Sequence, residues 1–318
     1  MRVFVVGASG AIGARLVPQL VERGHEVIGT YKSPCNGERV RALGAEVRQL
    51  DLLDARAVRR AVLEAEPDAI VHQATALANV DFSRNFDRVF ARTNRIRTQG
   101  THALLEAAGA AGVRRIVAQS YASGRYIREG GWVKTERDPL DAAPVRSMRE
   151  SFAAMRRLDE TVADAGGVVL RYGAFYGADN DGLIEPVRKR QFPIVGDGGG
   201  MTSFIQLDDA AAATVLAIEH DVPGIFNVVD DEPAPVRDWL PEMAKALGAD
   251  PPRQVPRWLA RLFAGDAAVM MGTESRGASN EKAKRELGWE LRYPSWRAGF
   301  AAAYGVNRPR KAAEASAA

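Results

Sequence analysis

Three glycines near the N-terminus have a spacing that suits phosphate binding. Gly7, Gly10 and Gly13 directly follow the apolar run "VFVV" and lead into "GARLVPQLVERG", which has helical periodicity. Glycine permits a tight turn and a close backbone approach to pyrophosphate, and a helix N-terminus offers free N–H groups. This order of strand, loop and helix predicts a dinucleotide site. The predicted phosphate contacts are Gly7, Ala8, Ser9, Gly10, Ala11, Ile12 and Gly13.

The end of the second predicted strand discriminates between dinucleotides. In NAD-binding chains, an acidic residue about 20 residues beyond the glycines hydrogen-bonds the adenosine ribose. Here "VIGTYKS" places Thr30, Tyr31 and Lys32 at this point. Hydroxyls and a cation favour a 2′-phosphate, so we predict NADP as the cofactor, with NAD as the alternative. A Lys32 that is only solvated in a loop is the competing interpretation.

Strands and helices must alternate to position these residues. Through about residue 175, short β-branched runs such as "RVFVVG", "AIVHQAT" and "RIVAQS" alternate with longer helical patterns such as "THALLEAAGAAG". This alternation is typical of βαβ units, and the continuous apolar strands indicate burial on both faces. We therefore predict an α/β fold, a Rossmann-type doubly wound parallel sheet with a smaller C-terminal substrate lobe.

The pattern changes beyond Tyr176, where Gly-rich and Pro-rich stretches interrupt it. We predict a dinucleotide-binding domain over residues 1–175, completed by residues of about 204–230. Residues 176–203 and 231–305 would form the substrate lobe. The segment 306–318, "VNRPRKAAEASAA", is predicted to be a flexible tail.

Composition excludes several classes of protein. The chain has 318 residues, of which 46% are hydrophobic and 26% charged, as in an ordinary globular protein. A net charge of +3 makes no basic field, so nucleic acid is not an expected partner. The single cysteine, Cys35, and four scattered histidines predict no disulfide and no metal site. No leader pattern and no apolar run of about 18 residues is found, so we expect a cytoplasmic protein without membrane contact.

Further motifs along the chain support a family resemblance. They include "DLLD", "VHQAT", "LRYGAFYG", "FIQLDDAA" and "SNEKAKRELGW", in that order after the glycine loop. With them the chain resembles an extended short-chain dehydrogenase/reductase of the NAD-dependent epimerase/dehydratase family, over nearly its whole length. The resemblance implies that Asp51 lies at the adenine. It further implies that the nicotinamide and ribose contacts come from three strand ends. The implied cofactor contacts are Tyr31, Lys32, Asp51, Leu52, Gln73, Ala74, Thr75, Gln119, Arg156, Tyr172, Gly173 and Phe175.

The chain departs from the family in its catalytic pair. The family uses Tyr-x-x-x-Lys on the helix after the fifth strand, where the Tyr transfers a proton and the Lys lowers its pKa. Counting back from Glu160 in "FAAMRRLDE" places Arg156 and Phe152 at these positions. Phenylalanine has no proton to transfer, although Arg156 can still hydrogen-bond the ribose. No Tyr-x-x-x-Lys occurs between residues 120 and 170, so an alignment slip does not restore the pair.

A substitute proton donor is predicted in "QSYASGRY". Ser120 stands where the active-site hydroxyl region of the family begins, and Tyr121 is the favoured donor. The alternative is that Tyr121 shapes the substrate pocket or packs under the nicotinamide. Ser123, Tyr126 and Tyr176 are less favoured. The predicted catalytic residues are thus Tyr121, Ser120 and Arg156.

Other polar residues are expected to have structural roles. His72 follows a buried strand and is predicted to pack there rather than to act as an acid or base. Arg171 is predicted to hold the substrate lobe through a carboxylate, with contact to a ligand as the alternative. Asp208 and Asp209 precede a helical pattern, where an N-cap and first turn favour negative charge.

The resemblance implies a function for the whole chain. We expect an NAD(P)-dependent oxidoreductase or epimerase/dehydratase-like enzyme with a non-standard proton-transfer residue. Its substrate would be a small-molecule or sugar-derived carbonyl or alcohol. Arg276 and Asn280 lie in a region that helps to bind the substrate nucleotide in nucleotide-sugar enzymes, but this role is the less favoured one for them. The rival interpretation is a catalytically impaired dinucleotide-binding protein that serves as a redox sensor or partner-binding module. The resembled family also implies a homodimer.

Overall fold

The computed structural model describes residues 1–77, 86–177, 182–220 and 222–305. The predicted tail, 306–318, lies outside the described residues. The described strands are β1 (Arg2–Val6), β2 (Glu26–Tyr31), β3 (Glu46–Gln49), β4 (Ala69–His72), β5 (Arg115–Tyr121), β6 (Val133–Lys134), β7 (Val168–Tyr172), β8 (Ala174–Tyr176), β9 (Ile194–Val195), β10 (Met201–Thr202), β11 (Phe204–Gln206), β12 (Gly224–Val228), β13 (Ala234–Pro235), β14 (Gln254–Val255) and β15 (Gly277–Ala278).

Helices connect most of these strands. They are α1 (Gly13–Glu22), α2 (Gly37–Arg41), α3 (Ala55–Ala65), α4 (Phe86–Arg95), α5 (Thr101–Ala111), α6 (Arg149–Asp164), α7 (Ile184–Arg188), α8 (Leu207–Glu219), α9 (Val236–Ala246), α10 (Arg257–Thr273), α11 (Glu281–Leu287) and α12 (Trp296–Tyr304). A π-helical turn, Ile96–Gly100, joins α4 to α5.

Seven strands form one parallel sheet in the order β12-β7-β5-β4-β1-β2-β3. Strands β2 and β3 are added in turn on one side of β1. The chain then crosses to the other side of β1, where β4, β5, β7 and β12 follow in order. Ligands of such sheets bind at the carboxyl ends of the strands where the order reverses. The crevice between the ends of β1 and β4 is therefore the expected site, and the predicted doubly wound fold is confirmed.

Helices cover both faces of the sheet because its strands are apolar on both sides. One core cluster includes Leu16 and Leu20 of α1 with residues of α8. The other joins Val58 and Val62 of α3 to Leu104 of α5. Each Å² of apolar surface removed from water stabilises the fold by about 25 cal/mol, and this burial is the main source of free energy that holds the layers together.

An aromatic cluster forms the core of the C-terminal part. The ring of Phe204 packs edge-on against Trp239 and Phe300, with centroids 5.2 Å apart in both pairs. Gly299 has to be glycine, because a Cβ there would lie 1.9 Å from the Tyr176 hydroxyl. We retain as a proposal that residues 176–203 and 231–305 form a substrate lobe on the domain of residues 1–175 completed by 204–230.

The first turn of α8 carries the acidic pair that the sequence placed there. Asp208 and Asp209 follow Gln206, whose side chain caps the helix. Asp209 also accepts hydrogen bonds from the backbone N–H groups of Arg292 and Tyr293, at 3.0 and 2.9 Å. The predicted acidic first turn is therefore present, the cap itself is Gln206, and Asp209 also fixes a later segment. In the described part of the chain no helix is long and apolar enough to span a membrane.

Candidate active site

The glycine loop fits the phosphates of a dinucleotide. Gly7 has φ +87°, and a Cβ there would lie 2.8 Å from the backbone of Ala74, at the end of β4. A Cβ on Gly13 would lie 2.5 Å from the carbonyl oxygens of Gly7 and Ala8. Gly10 is exposed at the start of α1. The backbone can therefore come close to a ligand at the helix N-terminus, as pyrophosphate binding requires.

The remaining loop and strand-end residues divide into buried supports and surface groups. The buried residues of this set are Ala8, Ile12 and Leu52, which pack beneath the loop and support its conformation. Ala11 and Thr75 are exposed at the crevice edge. The residues of intermediate exposure are Ser9, Tyr31, Ala74, Gln119 and Phe175. Contacts of these residues with the cofactor stay a prediction.

Two cations share one carboxylate at the predicted adenosine end. Lys32 Nζ lies 2.9 Å from Asp51 Oδ2, and Arg92 Nη2 of α4 lies 3.2 Å from the same oxygen. Lys32 is therefore not merely solvated. Arg92 was not predicted from the sequence, because the packing of α4 beside the β3 end is a long-range feature. One carboxylate cannot neutralise both cations, so a positive charge remains for an anionic ligand.

The Tyr172 side chain faces the core, in contrast to the predicted nicotinamide contact. Its ring is fully buried, and its hydroxyl lies 2.6 Å from Thr214 Oγ1 and accepts a hydrogen bond from Gln73 Nε2 at 3.1 Å. Burial raises the pKa of Tyr172 to about 12. Gly173 is also enclosed, since a Cβ there would lie 2.6 Å from the Ser203 carbonyl. Tyr172 and Gln73 therefore brace β4 against α8.

A buried ionic network lies under the end of β5. Asp159 Oδ2 accepts hydrogen bonds from Arg125 Nη2 at 3.0 Å and from Arg171 Nε at 2.8 Å. Arg125 Nη1 also donates to Ser120 Oγ at 2.9 Å. Arg171 Nη1 donates to the Tyr126 hydroxyl at 3.2 Å. Arg171 therefore has the predicted carboxylate partner, but that partner lies on α6 and not in the proposed substrate lobe. The network also fixes Ser120 in place.

The network gives α6 a buried carboxylate one residue before Glu160, from which the family pattern can also be counted. Asp159 is buried and paired with Arg171, whereas Glu160 is exposed. Counting back from Asp159 gives Met155 and Ser151, both buried, at the Lys and Tyr positions. The spacing of apolar residues in the sequence already indicated that Asp159 is the buried one. Met148, Phe152 and Met155 lie on one helical face, and the next residue on that face is Asp159 rather than Glu160.

The catalytic pair is absent in either register, with Phe152 and Arg156 in one and Ser151 and Met155 in the other. Ser151 is engaged by α4, since its Oγ donates to Asp87 Oδ1 at 2.6 Å. Arg156 is half-buried, and its Nη2 donates to the Asp141 carbonyl at 2.9 Å. A ribose contact by Arg156 stays a prediction.

Tyr121 faces an apolar wall formed by α6 and α10. The wall is the cluster Met148, Phe152, Met155 and Met270, against which Tyr121, Phe86 and Met271 pack. Burial raises the pKa of the Tyr121 phenol, so that it remains protonated across the physiological range. The phenol therefore carries a proton that it could donate, although the raised pKa makes it a weaker acid than an exposed tyrosine.

His72 is neutral at the end of β4, as its predicted packing role requires. Burial, and then the charge of Arg97, lowers its pKa to about 4. Its Nδ1 accepts a hydrogen bond from the Ala74 N–H at 3.3 Å, so the ring positions the strand end. No group of side chains suited to hold a metal ion occurs in the described ranges.

Arg276 and Asn280 are occupied by intramolecular contacts. The Arg276 guanidinium lies 3.9 Å from the ring centroid of Trp132 and donates to the carbonyls of Glu274 and Arg128. Asn280 Nδ2 donates to the Val229 carbonyl at 2.8 Å. A nucleotide-binding role, which was the less favoured one for these two residues, has no support in these contacts.

Comparisons with known proteins agree with the geometry. Residues 3–228 match the NAD dependent epimerase/dehydratase family. The chain is 42% identical to a 3-diazoavenalumate denitrifying reductase from Streptomyces sp., over 94% of this chain and 99% of that protein.

Solved structures share the fold. The UDP-glucose 4-epimerase of Thermus thermophilus, in complex with NAD, superposes with a TM-score of 0.74 at 24% identity, covering 96% of this chain and 98% of that one. Human epimerase family protein SDR39U1 with NADPH gives a TM-score of 0.73 at 21% identity, covering 96% and 99%.

These matches decide between the two functional interpretations. The relative at 42% identity is a named reductase, so the impaired redox sensor or partner-binding module is not favoured. The geometry of the glycine loop and the cations beside Asp51 are compatible with a dinucleotide cofactor. The chain therefore belongs to the NAD dependent epimerase/dehydratase family and is an NAD(P)-dependent enzyme of the oxidoreductase or epimerase type.

Proposed function

We propose that this chain is an NADPH-dependent reductase that removes a diazo group from an aromatic acid. The observation that carries the proposal is the absence of both Tyr and Lys from the family positions on α6, in either register. A carbonyl or alcohol substrate needs a side chain that transfers a proton, and such help is worth about 10² to 10⁴ in rate. A substrate whose reduction consumes no extra proton removes this requirement. The reductase at 42% identity is named for a diazo acid.

The overall reaction balances without a side-chain acid. A bound reduced dinucleotide supplies two electrons and one hydrogen nucleus, so that R–N2⁺ and NADPH give R–H, N2 and NADP⁺. The departing N2 takes both nitrogen atoms, and no substrate oxygen needs protonation. The task left to the chain is to orient the substrate against the cofactor and to exclude water.

The wall of α6 and α10 suits an aromatic substrate. Its methionines are flexible and polarisable, and sulfur makes favourable contacts with aromatic rings. Phe152 adds an apolar ring where the register counted from Glu160 has the family Tyr. The predicted nucleotide-sugar contacts, Arg276 and Asn280, are already engaged within the protein. These features favour a flat aromatic molecule over a nucleotide sugar.

A second candidate function rests on Tyr121, a half-buried and protonated phenol facing the same wall. In this candidate the substrate is a carbonyl, Tyr121 donates its proton, and Ser120 and Arg156 assist. Turnover of Tyr121→Phe distinguishes the two functions. With 3-diazo-4-hydroxybenzoate we expect this variant to keep its rate within about threefold, because no proton donor is needed. A fall of about 10² to 10⁴ would instead identify Tyr121 as the acid.

The substrate class is tested by the oxidation of NADPH, followed at its absorbance, with three compounds. We expect turnover of 3-diazo-4-hydroxybenzoate and none of the matched carbonyl 3-formyl-4-hydroxybenzoate or of UDP-glucose. A blank without protein corrects for any direct reaction of the diazo compound. Faster turnover of the carbonyl or of the nucleotide sugar would overturn the proposal.

We also propose NADP(H) as the preferred cofactor, supported by the excess cation at Asp51. Replacing Lys32 or Arg92 with Ala should weaken NADPH about tenfold or more while changing NADH little, because each removes a charge-assisted contact with a 2′-phosphate. Dissociation constants for both nucleotides, measured by titration, provide the check. Arg95→Ala on the same helix is the control, since the Arg95 side chain pairs only with Gln99 in the described part of the chain. Equal losses for NADPH and NADH would contradict the preference.

Location and assembly are proposals of the same kind. A cytoplasmic location is supported by a single, exposed cysteine. The proposal of a homodimer rests on the family resemblance alone.

A further inference from the structure

Arg97, in the π-helical turn after α4, is a buried cation that no acceptor in the described part of the chain satisfies. It is 6% exposed, and within the described ranges it forms no hydrogen bond or ion pair, with Nη1 fully buried and unsatisfied. The two neighbouring arginines differ from it, because Arg125 and Arg171 are both bonded to Asp159. The contact found for the Arg97 guanidinium is the ring of Phe90, 5.5 Å away.

The charges around Arg97 do not balance. Arg97, Arg125 and Arg171 face the single carboxylate of Asp159, and His72 is neutral. Burial and the charge of Arg125 lower the pKa of Arg97 to about 10, so it still carries its charge near neutral pH. An unpaired buried cation is costly in a folded protein, because it loses hydration and gains nothing in return. The missing partner is expected to be an anion.

The position of Arg97 relates it to the reaction. The π-helical turn packs against α6, and Asn94 of α4 donates to Ser151, at the family Tyr position counted from Asp159. His72, whose pKa Arg97 lowers, holds the end of β4 next to the glycine loop. Arg97 thus lies between the end of β4, which faces the cofactor crevice, and helix α6, which contains no Lys. A π-helical turn is itself frequent at functional sites.

We propose that Arg97 binds an anionic oxygen of the substrate, a carboxylate or a phenolate, and so supplies from the adjoining turn the cation that α6 lacks at Met155, the Lys position counted from Asp159. The proposal rests on the proposed function in that the ligand is an aromatic acid. It does not depend on the diazo group. A guanidinium forms paired, charge-assisted hydrogen bonds with a carboxylate, which a neutral ligand cannot replace.

Binding of stable aromatic probes tests the charge requirement without any turnover. With NADP⁺ present, calorimetry would compare 4-methoxycinnamate, methyl 4-hydroxycinnamate and the neutral methyl 4-methoxycinnamate. We expect wild-type protein to bind an anionic probe about 10- to 100-fold more tightly than the neutral one, and Arg97→Gln to lose this difference. Arg97→Lys should keep part of the preference for the anionic probe. The exposed control, Arg95→Gln, should keep all of this preference.

The probes also separate the two sources of the anion. Preference for 4-methoxycinnamate identifies the carboxylate, and preference for methyl 4-hydroxycinnamate at alkaline pH identifies the phenolate. No binding of either anionic probe at millimolar concentration, or an unchanged preference in Arg97→Gln, would overturn the proposal. So would an equal loss of NADP⁺ affinity in Arg97→Gln, since the anion would then belong to the cofactor.

A stability measurement separates this role from a structural one. Because the unpaired charge costs free energy in the ligand-free protein, Arg97→Met should melt a few degrees higher than wild type. A structural arginine would have the opposite effect, so a clear fall in the melting temperature of Arg97→Met would contradict the proposal. Failure of the diazo reaction with both results intact would refute the proposed function and leave the anion site standing.

Discussion

Replacing Asp159 with Asn is expected to lower the free energy of unfolding by about 3–5 kcal/mol, because it leaves Arg125 and Arg171 buried without a counter-ion. Both guanidinium groups would keep their positive charge, and their mutual repulsion would add to the lost attraction. With an unfolding entropy of about 2.1 cal/mol/K per residue, each kcal/mol lowers the melting temperature of a 318-residue chain by about 1.5 °C. Thermal unfolding followed by circular dichroism should therefore show a fall of about 5–8 °C.

Glu160→Gln is the matched control for this variant. It removes the same charge from the next residue of α6, but Glu160 is exposed. Its melting temperature should stay close to that of wild type. Equal falls in melting temperature would show that Asp159 does not anchor the network. The family pattern on α6 would then be counted back from Glu160 instead of from Asp159.

Replacing Gly7 with Ala is expected to weaken NADP⁺ binding by about two orders of magnitude while the fold is retained. A Cβ at this position would meet the backbone of Ala74 at 2.8 Å, so the loop must move away from β4. The phosphate contacts depend on backbone N–H groups and tolerate little displacement. Dissociation constants from fluorescence titration would measure the loss, with circular dichroism as the check on folding.

Gly24→Ala separates steric contact from backbone strain. Gly24 also has a positive φ, +78°, but nothing lies within 4 Å of its added Cβ. Strain of about 1 kcal/mol is expected in both variants, since a left-handed conformation disfavours any residue with a Cβ. Only Gly7→Ala should lose cofactor affinity. Unchanged affinity in Gly7→Ala would remove the glycine loop from the cofactor site.

The fold could be predicted from the sequence because its signals are local. A strand, a loop and a helix follow one another around Gly7, Gly10 and Gly13. The strand and the helix can each be recognised from the spacing of their hydrophobic residues. The acidic turn of Asp208 and Asp209 was recognisable for the same reason, since a cap depends on residues a few positions away.

The site was less predictable because it depends on which face of each element is buried. The sequence pattern assigned the family Glu to Glu160, but the buried carboxylate is Asp159, one residue earlier. The resemblance implies a nicotinamide contact for Tyr172, but its side chain is buried on the α8 face of the sheet, beside Thr214. In a strand, one residue of difference reverses the face, and on a helix it rotates the side chain by about 100°.

The cations that complete the site could not be predicted from single positions. Arg92 acquires its role only because α4 packs beside Asp51, and Arg97 only because the π-helical turn lies against α6. Both are ordinary arginines in a stretch that contains several. Their significance lies in charges brought together across long sequence separations.

The most direct test of the account measures products with the purified protein, NADPH and 3-diazo-4-hydroxybenzoate. N2 would be followed by mass spectrometry, NADPH by absorbance and 4-hydroxybenzoate by chromatography, with Gly7→Ala protein as the control for uncatalysed reduction. We predict equal amounts of N2, NADP⁺ and 4-hydroxybenzoate, formed by wild type and by Tyr121→Phe alike. NADPH oxidation without N2, or turnover that is lost in Tyr121→Phe, would contradict a reductase that works without the Tyr and Lys of its family.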